Sequence, residues 1–498
     1  MRFPRSSGIL LHPTSLPSRH GIGDLGLEAR RFVDFLDIAG QNLWQVLPLG
    51  PTGYGESPYQ CFSAWAGNPL LISLDGLVEH GWLEAAALAN APDFPEDRVD
   101  FERLIPWKTA LLESAANRRS GFENFAEANR HWLDDFALFV ALKAHHQGAS
   151  WTQWDPGARD REPRALAKWR GKLAAQIDSQ KFLQFVFYEQ WRELREYARD
   201  RGVRIMGDLP IYVAHDSADV WAHREYFQLD AQGNPTVVSG VPPDYFSKTG
   251  QLWGNPIYRW DALAKDAYRW WLDRFRATFE MVDLIRLDHF RGFEAYWEVP
   301  ASETTAVNGR WVKGPGSALF RAARAQLGEL PLVAENLGVI TPEVEAIREE
   351  FGFPGMAVLQ FAFGTDPQAP TFRPHNYPRE VVAYTGTHDN DTTVGWWSSK
   401  GAGDSTRSDE DIRRERDFAM RYLNTDGKEM HWTFIRALEA SVADTVLIPM
   451  QDVLGLGTDA RMNQPATVGG NWRWRCRPGA LKPELAQRLR ELAQLYER

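Results

Sequence analysis

Cysteine is scarce in this sequence: Cys61 and Cys476 are the only two in 498 residues. A single disulfide is conceivable, but such a count does not describe a stapled secreted scaffold. Long apolar runs are also missing. No segment holds the roughly 20 consecutive apolar residues needed to span a bilayer. The N-terminal stretch MRFPRSSGILLHP offers only the short run Gly8–Leu11 before His12 and Pro13, too little for a signal peptide. Charge of one sign is not clustered either. The 66 acidic and 56 basic residues leave a formal charge of −10 without a long block of either kind. This composition argues against a basic nucleic-acid surface and against attraction to an anionic membrane. Close HxH and HExxH spacings are absent, as is a calcium-loop signature. The expectation is a soluble cytoplasmic protein with no nucleic-acid or membrane partner, no metal and no cofactor.

What the chain has in quantity is aromatic surface: 21 Trp, 27 Phe and 14 Tyr, 12% of all residues. Most belong in a large core, and some suit a groove in which flat rings stack on sugar faces. Eight short apolar runs end in polar or small residues, as buried parallel strands do. They are Ile9–His12, Leu43–Leu49, Val203–Leu209, Leu284–Asp288, Leu332–Glu335, Ala357–Phe361, Val381–Thr385 and Thr445–Met450. Amphipathic stretches separate many of them: Leu25–Ala39, Phe182–Arg201, Tyr268–Met281, Pro342–Glu350 and Asp409–Tyr422. This alternation predicts an α/β fold, a closed (β/α)8 TIM barrel forming one catalytic domain over 1–498. Two gaps break the rhythm. Residues 53–201, after the second run, read as a mostly helical inserted subdomain, with Phe125–His145 its clearest helix. Residues 214–267, after the third, are rich in Pro, Gly and aromatics and read as a second insert. Both begin on the C-terminal face, where barrel enzymes keep their sites.

Three of the runs deliver an acid to that face: Asp288, Glu335 and Asp389. Taken singly, an acid after a strand often caps the next helix. Together, acids at the ends of neighbouring strands repel each other, an arrangement retained for function more than for stability. Retaining glycosyl transfer needs this set. One ionised carboxylate attacks the anomeric carbon, and a second, protonated, assists the leaving oxygen and then acts as base, the two about 5–5.5 Å apart. Arg286 lies two residues before Asp288, so both side chains point into the barrel and the cation keeps Asp288 ionised. Glu335, facing that anion, holds its proton. Asp389 is left to bind sugar hydroxyls and stabilise oxocarbenium charge. His289 and His388 flank two of the acids. Zinc binding and plain packing at the rim are the competing readings, and hydrogen bonding to sugar hydroxyls fits better.

Arg286-x-Asp288-His289, Ala334–Gly338 (AENLG) and Thr387–Asp391 (THDND) resemble signatures of the amylomaltases, or 4-α-glucanotransferases, of glycoside hydrolase family 77 in the α-amylase clan. Gly8–Leu16, Pro48–Pro58, Gly207–Asp216, Gly240–Pro256 and Arg461–Thr467 extend the likeness along nearly the whole chain. The resemblance implies Asp288 as nucleophile, Glu335 as general acid/base and Asp389 as transition-state stabiliser. It further implies that Gly240–Pro256 is a loop over the site, carrying Tyr245, Phe246, Gln251 and Trp253. Such an aromatic lid would expel water while an acceptor sugar stacks. Ser57 and Tyr59 match a donor-side loop, Asp208 a residue on the same sugar, and Asn463 a substrate-contacting loop after the eighth strand. The implied substrates are α-1,4-glucans (maltodextrins, amylose, glycogen), with glucose as an acceptor. No N-terminal extension and no C-terminal β-domain are expected. A hydrolase using the same acids is the nearest rival, and a non-catalytic glucan-binding barrel the more distant one.

Overall fold

The computed structural model describes residues 4–243, 248–399, 408–467 and 469–498. Eight parallel strands form one sheet: β1 (Ser6–Leu10), β2 (Leu43–Gln45), β3 (Arg204–Leu209), β4 (Leu284–Leu287), β5 (Leu332–Ala334), β6 (Gly355–Val358), β7 (Val381–Tyr384) and β8 (Thr445–Pro449). Their order is β6-β7-β8-β1-β2-β3-β4-β5, each strand beside its sequence neighbour and β8 pairing back onto β1. Between β5 and β6 two single bonds replace the ladder. Ala334 N–H donates to the Pro354 carbonyl (2.8 Å), and Met356 N–H to Asn336 Oδ1 (2.8 Å). Gly355 is required at this seam, because a Cβ there would lie 2.8 Å from Asn336 Oδ1.

The period of two sorts the side chains. Leu43, Met206, Leu284, Val333, Met356, Val358, Val382, Tyr384 and Leu447 fill the barrel interior as one cluster. Their neighbours Trp44, Ile205, Ile285, Ala357, Ala383 and Val446 join the outer core under the helices. Arg286 follows Leu284 by two, and Asp208 follows Met206 by two, so both lie on the interior side near the strands' C-terminal ends. Helices Leu27–Ile38, Ala174–Asp200, Arg269–Met281, Ser317–Leu327, Pro342–Phe351, Asp409–Leu423 and Pro483–Leu495 cover the outside. Between β6 and β7 there is no α-helix, only 3-10 turns at Leu359–Phe361, Ala369–Phe372 and Pro374–Asn376. Four prolines between 367 and 378 withhold the N–H groups a helix needs.

Between β2 and β3 the chain is mostly helical, ending in the 27-residue helix Ala174–Asp200. The stretch expected as one helix over Phe125–His145 is two, Glu123–Ala128 and Arg130–His145, divided at Asn129. The larger difference concerns Gly240–Pro256. Its ends are not loop. Val237–Val241 and Gln251–Pro256 pair antiparallel, and with Ala295–Pro300 and Arg310–Lys313 they make a four-stranded sheet. The first two strands follow β3 and the last two follow β4, so two excursions from the barrel build one unit. Asn255 Nδ2 ties it to the Val213 carbonyl (3.0 Å). Both cysteines are free thiols. No helix among the described residues is long and apolar enough to cross a membrane.

Candidate active site

Strand register sets the first contact. Asp208 and Arg286 are partners across the β3–β4 ladder. Arg286 Nη1 donates to both oxygens of Asp208 (2.9 and 2.7 Å) and lies 2.9 Å from Asp288 Oδ1. The Asp208 and Arg286 side chains are 0% and 5% exposed, against 26% for Asp288. Burial works against the Arg286 charge, but Asp208 and Asp288 outweigh it and hold the guanidinium well above its usual range. Burial pushes the Asp208 carboxyl up, opposed by Arg286.

Ladder-like bonds continue past the strand ends. Asp288 N–H donates to the Leu209 carbonyl (3.0 Å), Glu335 N–H to Leu287 (3.1 Å), and Phe290 N–H to Glu335 (3.1 Å). Asp288 and Glu335 are therefore fixed by main chain on adjacent strands. His289 then turns the chain with a left-handed φ of 49°. Its N–H donates to Glu335 Oε2 (2.8 Å), and Leu337 N–H donates to Oε1 (3.0 Å). The Glu335 side chain is only partly open to solvent. Burial raises its carboxyl to about 7; the Asp288 anion adds to the rise, while Arg286 and the two N–H donors oppose it. Burial lowers the His289 imidazole to about 4, so the ring is neutral at neutral pH. Trp253 meets that ring edge-on, centroids 4.8 Å apart at 88°, and donates its Nε1–H to Gln251 Oε1 (3.1 Å).

The third acid stands on the β7 side. Asp389 is the most open of the three, its side chain 46% exposed. Its Oδ1 accepts from Asn463 Nδ2 (2.6 Å) and lies 3.4 Å from His388 Nε2. Asn463 N–H donates to the His388 carbonyl (3.1 Å), and Arg461 binds the carbonyls of Asp389 and Asn463 (2.7 Å each). Tyr59 joins the two halves. Its hydroxyl donates to Asp208 Oδ2 (2.8 Å), and its ring stacks on His388 at 5.2 Å and 15°. Ser57 supports this loop by accepting the Tyr59 N–H at its Oγ (3.2 Å).

The sequence-derived residues thus form a connected series. Gln251, Trp253 and Glu335 are linked by successive contacts to His289, the residue after Asp288, and Arg286, Asp208, Tyr59, His388, Asp389 and Asn463 by successive contacts to Asp288 itself. Tyr245 and Phe246 lie outside the described residues. Sequence reasoning missed Arg461, although it opens the quoted segment Arg461–Thr467, and Trp472, which contacts both Tyr59 and His388. The doublet Gly469-Gly470 just before Trp472 was the available signal. Among the described residues, no group of three or more His, Cys, Asp or Glu side chains is arranged to hold a metal ion. Chemically, the site offers a carboxylate beside a buried cation and a neighbouring carboxyl that keeps its proton up to neutral pH.

The chain has similar sequences and folds among known proteins. A sequence model of the 4-alpha-glucanotransferase family matches residues 11–482. The chain is 50% identical to a 4-alpha-glucanotransferase of Thermus thermophilus over all of both chains. It is 51% identical to one from Synechocystis sp., covering 99% of this chain and 98% of the other. Among solved structures, amylomaltase from Streptococcus agalactiae in complex with acarbose superposes with a TM-score of 0.94 at 40% identity over 99% of each chain. Identity of this degree, sustained from end to end on the same barrel, means that the chain belongs to the 4-alpha-glucanotransferases of glycoside hydrolase family 77.

Proposed function

We propose that this rim moves α-1,4-glucan segments by a two-step retaining exchange. Asp288 attacks C1 of the donor sugar. A bond forms between its carboxylate oxygen and C1 as the glycosidic C1–O bond breaks, and Glu335 gives its proton to the departing 4-oxygen. The reducing-end fragment leaves. An acceptor 4-hydroxyl, of a glucan or of glucose, then gives its proton to the Glu335 carboxylate and bonds to C1, releasing Asp288. Arg286 sets a buried cation 2.9 Å from Asp288 Oδ1, and Asp389, held by Asn463, stabilises the positive charge that develops on the sugar. Tyr59 and His388 bind the donor sugar, and Asp208, whose side chain is fully buried, acts by holding the Tyr59 hydroxyl and Arg286 and not by the sugar contact that the resemblance implies. Gln251 and Trp253, on the strand Gln251–Pro256 beside His289, form the wall that excludes water. A cytoplasmic setting fits two unpaired thiols.

The observation that carries this reading is Arg286 spanning Asp208 and Asp288 while Glu335, one strand away, has its carboxyl raised. The acids alone would serve a hydrolase equally well, and family membership favours transfer. Incubation with pure maltotriose is the test. Transfer yields glucose and a ladder of longer maltodextrins with no net gain in reducing ends, and Glu335→Gln abolishes the ladder. A rise in reducing ends without a ladder would make the protein a hydrolase, and an intact ladder from Glu335→Gln would remove Glu335 from its role.

A further inference from the structure

Trp472 has a left-handed φ of 62°. Tryptophan takes this conformation only where its surroundings impose it, and such positions concentrate at functional sites. The surroundings here are specific. Its N–H donates to the Met462 carbonyl (2.7 Å). The adjacent Asn471 accepts the Gln464 N–H (3.0 Å) and donates to Thr467 Oγ1 (3.2 Å). The segment after Asn463 is thereby folded back on itself, and the Trp472 side chain is driven inward until the residue is only 6% exposed.

The ring arrives at one place. Its centroid lies 5.8 Å from Tyr59 and 5.9 Å from His388, tilted by 42° and 36°. Those two rings are themselves stacked, so the three make a compact triangle. Among the described residues the ring contacts of Tyr59 are with His388 and Trp472. Each supported ring holds an acid: Tyr59 through its hydroxyl to Asp208, and His388 through Nε2 near Asp389. A shift of the stack would therefore move contacts to two carboxylates at once.

We infer that Trp472 is a positioning residue of the donor site, a wedge that holds the Tyr59–His388 stack in register with Asp208 and Asp389 and so shapes the surface an α-glucan donor meets. The inference rests on the assignment of Tyr59 and His388 to that site. It accounts for a bulky indole at a backbone position that glycine would fill without strain. Trp472 acts through the two rings, so its removal should be felt in kcat and in glucan binding while the fold persists.

The experiment compares Trp472→Phe and Trp472→Leu, alone and combined with Tyr59→Ala. It follows maltotriose disproportionation (kcat and KM), binding of acarbose as a glucan probe by calorimetry, and folding by near-ultraviolet circular dichroism. Trp472→Leu should lower kcat/KM by about tenfold or more and weaken acarbose binding, while Trp472→Phe, which keeps a ring, recovers most of both. In the Tyr59→Ala background Trp472→Leu should cost clearly less than it does alone, because one of the two rings that the wedge supports is gone. If the leucine variant does not fold, Trp472→Gly, which suits the left-handed backbone, enters the same cycle. Equal effects of Phe and Leu, or losses that multiply with an impaired Tyr59→Ala, overturn the role of Trp472 alone. A Tyr59→Ala variant with unchanged kcat/KM overturns the donor-site assignment instead.

Discussion

The main-chain N–H of His289, the residue after Asp288, donates to Glu335 Oε2 over 2.8 Å. One short bond thus couples the turn that ends β4 to the carboxyl group carried by β5. It fixes the orientation of Glu335 while the burial around it raises the pKa.

The raised carboxyl, at about 7, sets the alkaline limb of activity. Glu335 must be protonated when the glycosidic oxygen departs, and the protonated fraction falls as pH rises through that value. The kcat/KM for maltotriose should therefore decline with an apparent pKa near about 7. A maltosyl fluoride donor, whose leaving group needs no proton, should lose most of that limb. A pH–rate profile with both donors checks this, and identical alkaline limbs would detach the limb from Glu335.

The same shift bears on stability. A carboxyl whose pKa is raised on folding adds stability below its unfolded value, near 4.5, and loses it as pH rises towards the folded value, about 7. Above that range the native state carries a charge it would shed if it could. Glu335→Gln should then stabilise the fold at pH 8, on the order of 1–2 kcal/mol given the partial solvent access, and much less at pH 4. Thermal unfolding at the two pH values measures the difference. Equal shifts at both would mean that the charge is not the cause.

Arg286 serves two carboxylates from one nitrogen, and Asp208, one of them, has a side chain with 0% exposure. Arg286→Met leaves Asp208 buried beside no cation, at a cost of about 3–5 kcal/mol in denaturant unfolding. Arg286→Lys restores a charge but not the rigid guanidinium that places one nitrogen between the two acids, so stability should recover more than activity, with kcat remaining about 10²–10³-fold down. Adding Asp208→Asn to Arg286→Met should return part of the stability. A lysine variant with wild-type kcat would show that only the charge matters.

Much of this site was legible in the sequence because parallel strands of a barrel report themselves. Runs such as Leu284–Asp288 and Leu332–Glu335 end where the chemistry begins, and the period of two already set Arg286 beside Asp288. The pairing of Asp208 with Arg286 was not legible, since register between β3 and β4 is a tertiary fact established across 78 residues. The second sheet escaped for a related reason. Gly240, Pro242 and Pro243 mask Val237–Val241 as loop, and its strand partners Ala295–Pro300 lie beyond β4. Trp472 escaped because a left-handed tryptophan leaves no periodic trace; the Gly469-Gly470 doublet marks a turn nearby, and the ring's contacts with Tyr59 and His388 reveal its place.

The opposite end of the barrel supplies a contrasting prediction. Arg498 lies 2.9 Å from Glu439 Oε2, with both side chains essentially unexposed. Its guanidinium also donates to the carbonyls of Leu438, Ser441 and Ala443, and to that of Ser6 at the start of β1. Glu439 Oε1 accepts from Ser7 Oγ as well. This is the N-terminal face, where side chains serve the fold while chemistry stays at the other rim. Removing one partner strands the other: Arg498→Met should cost about 3–5 kcal/mol, whereas Arg498→Met with Glu439→Leu should recover most of it, because two buried charges are replaced by apolar surface. Both variants should keep the wild-type kcat/KM for maltotriose at 25 °C. The midpoint of denaturant unfolding reads the first effect and a disproportionation assay the second. If Arg498→Met destabilised no more than Arg490→Met, a change on an exposed helix face, the buried pair would contribute nothing to the closure of β1 on β8.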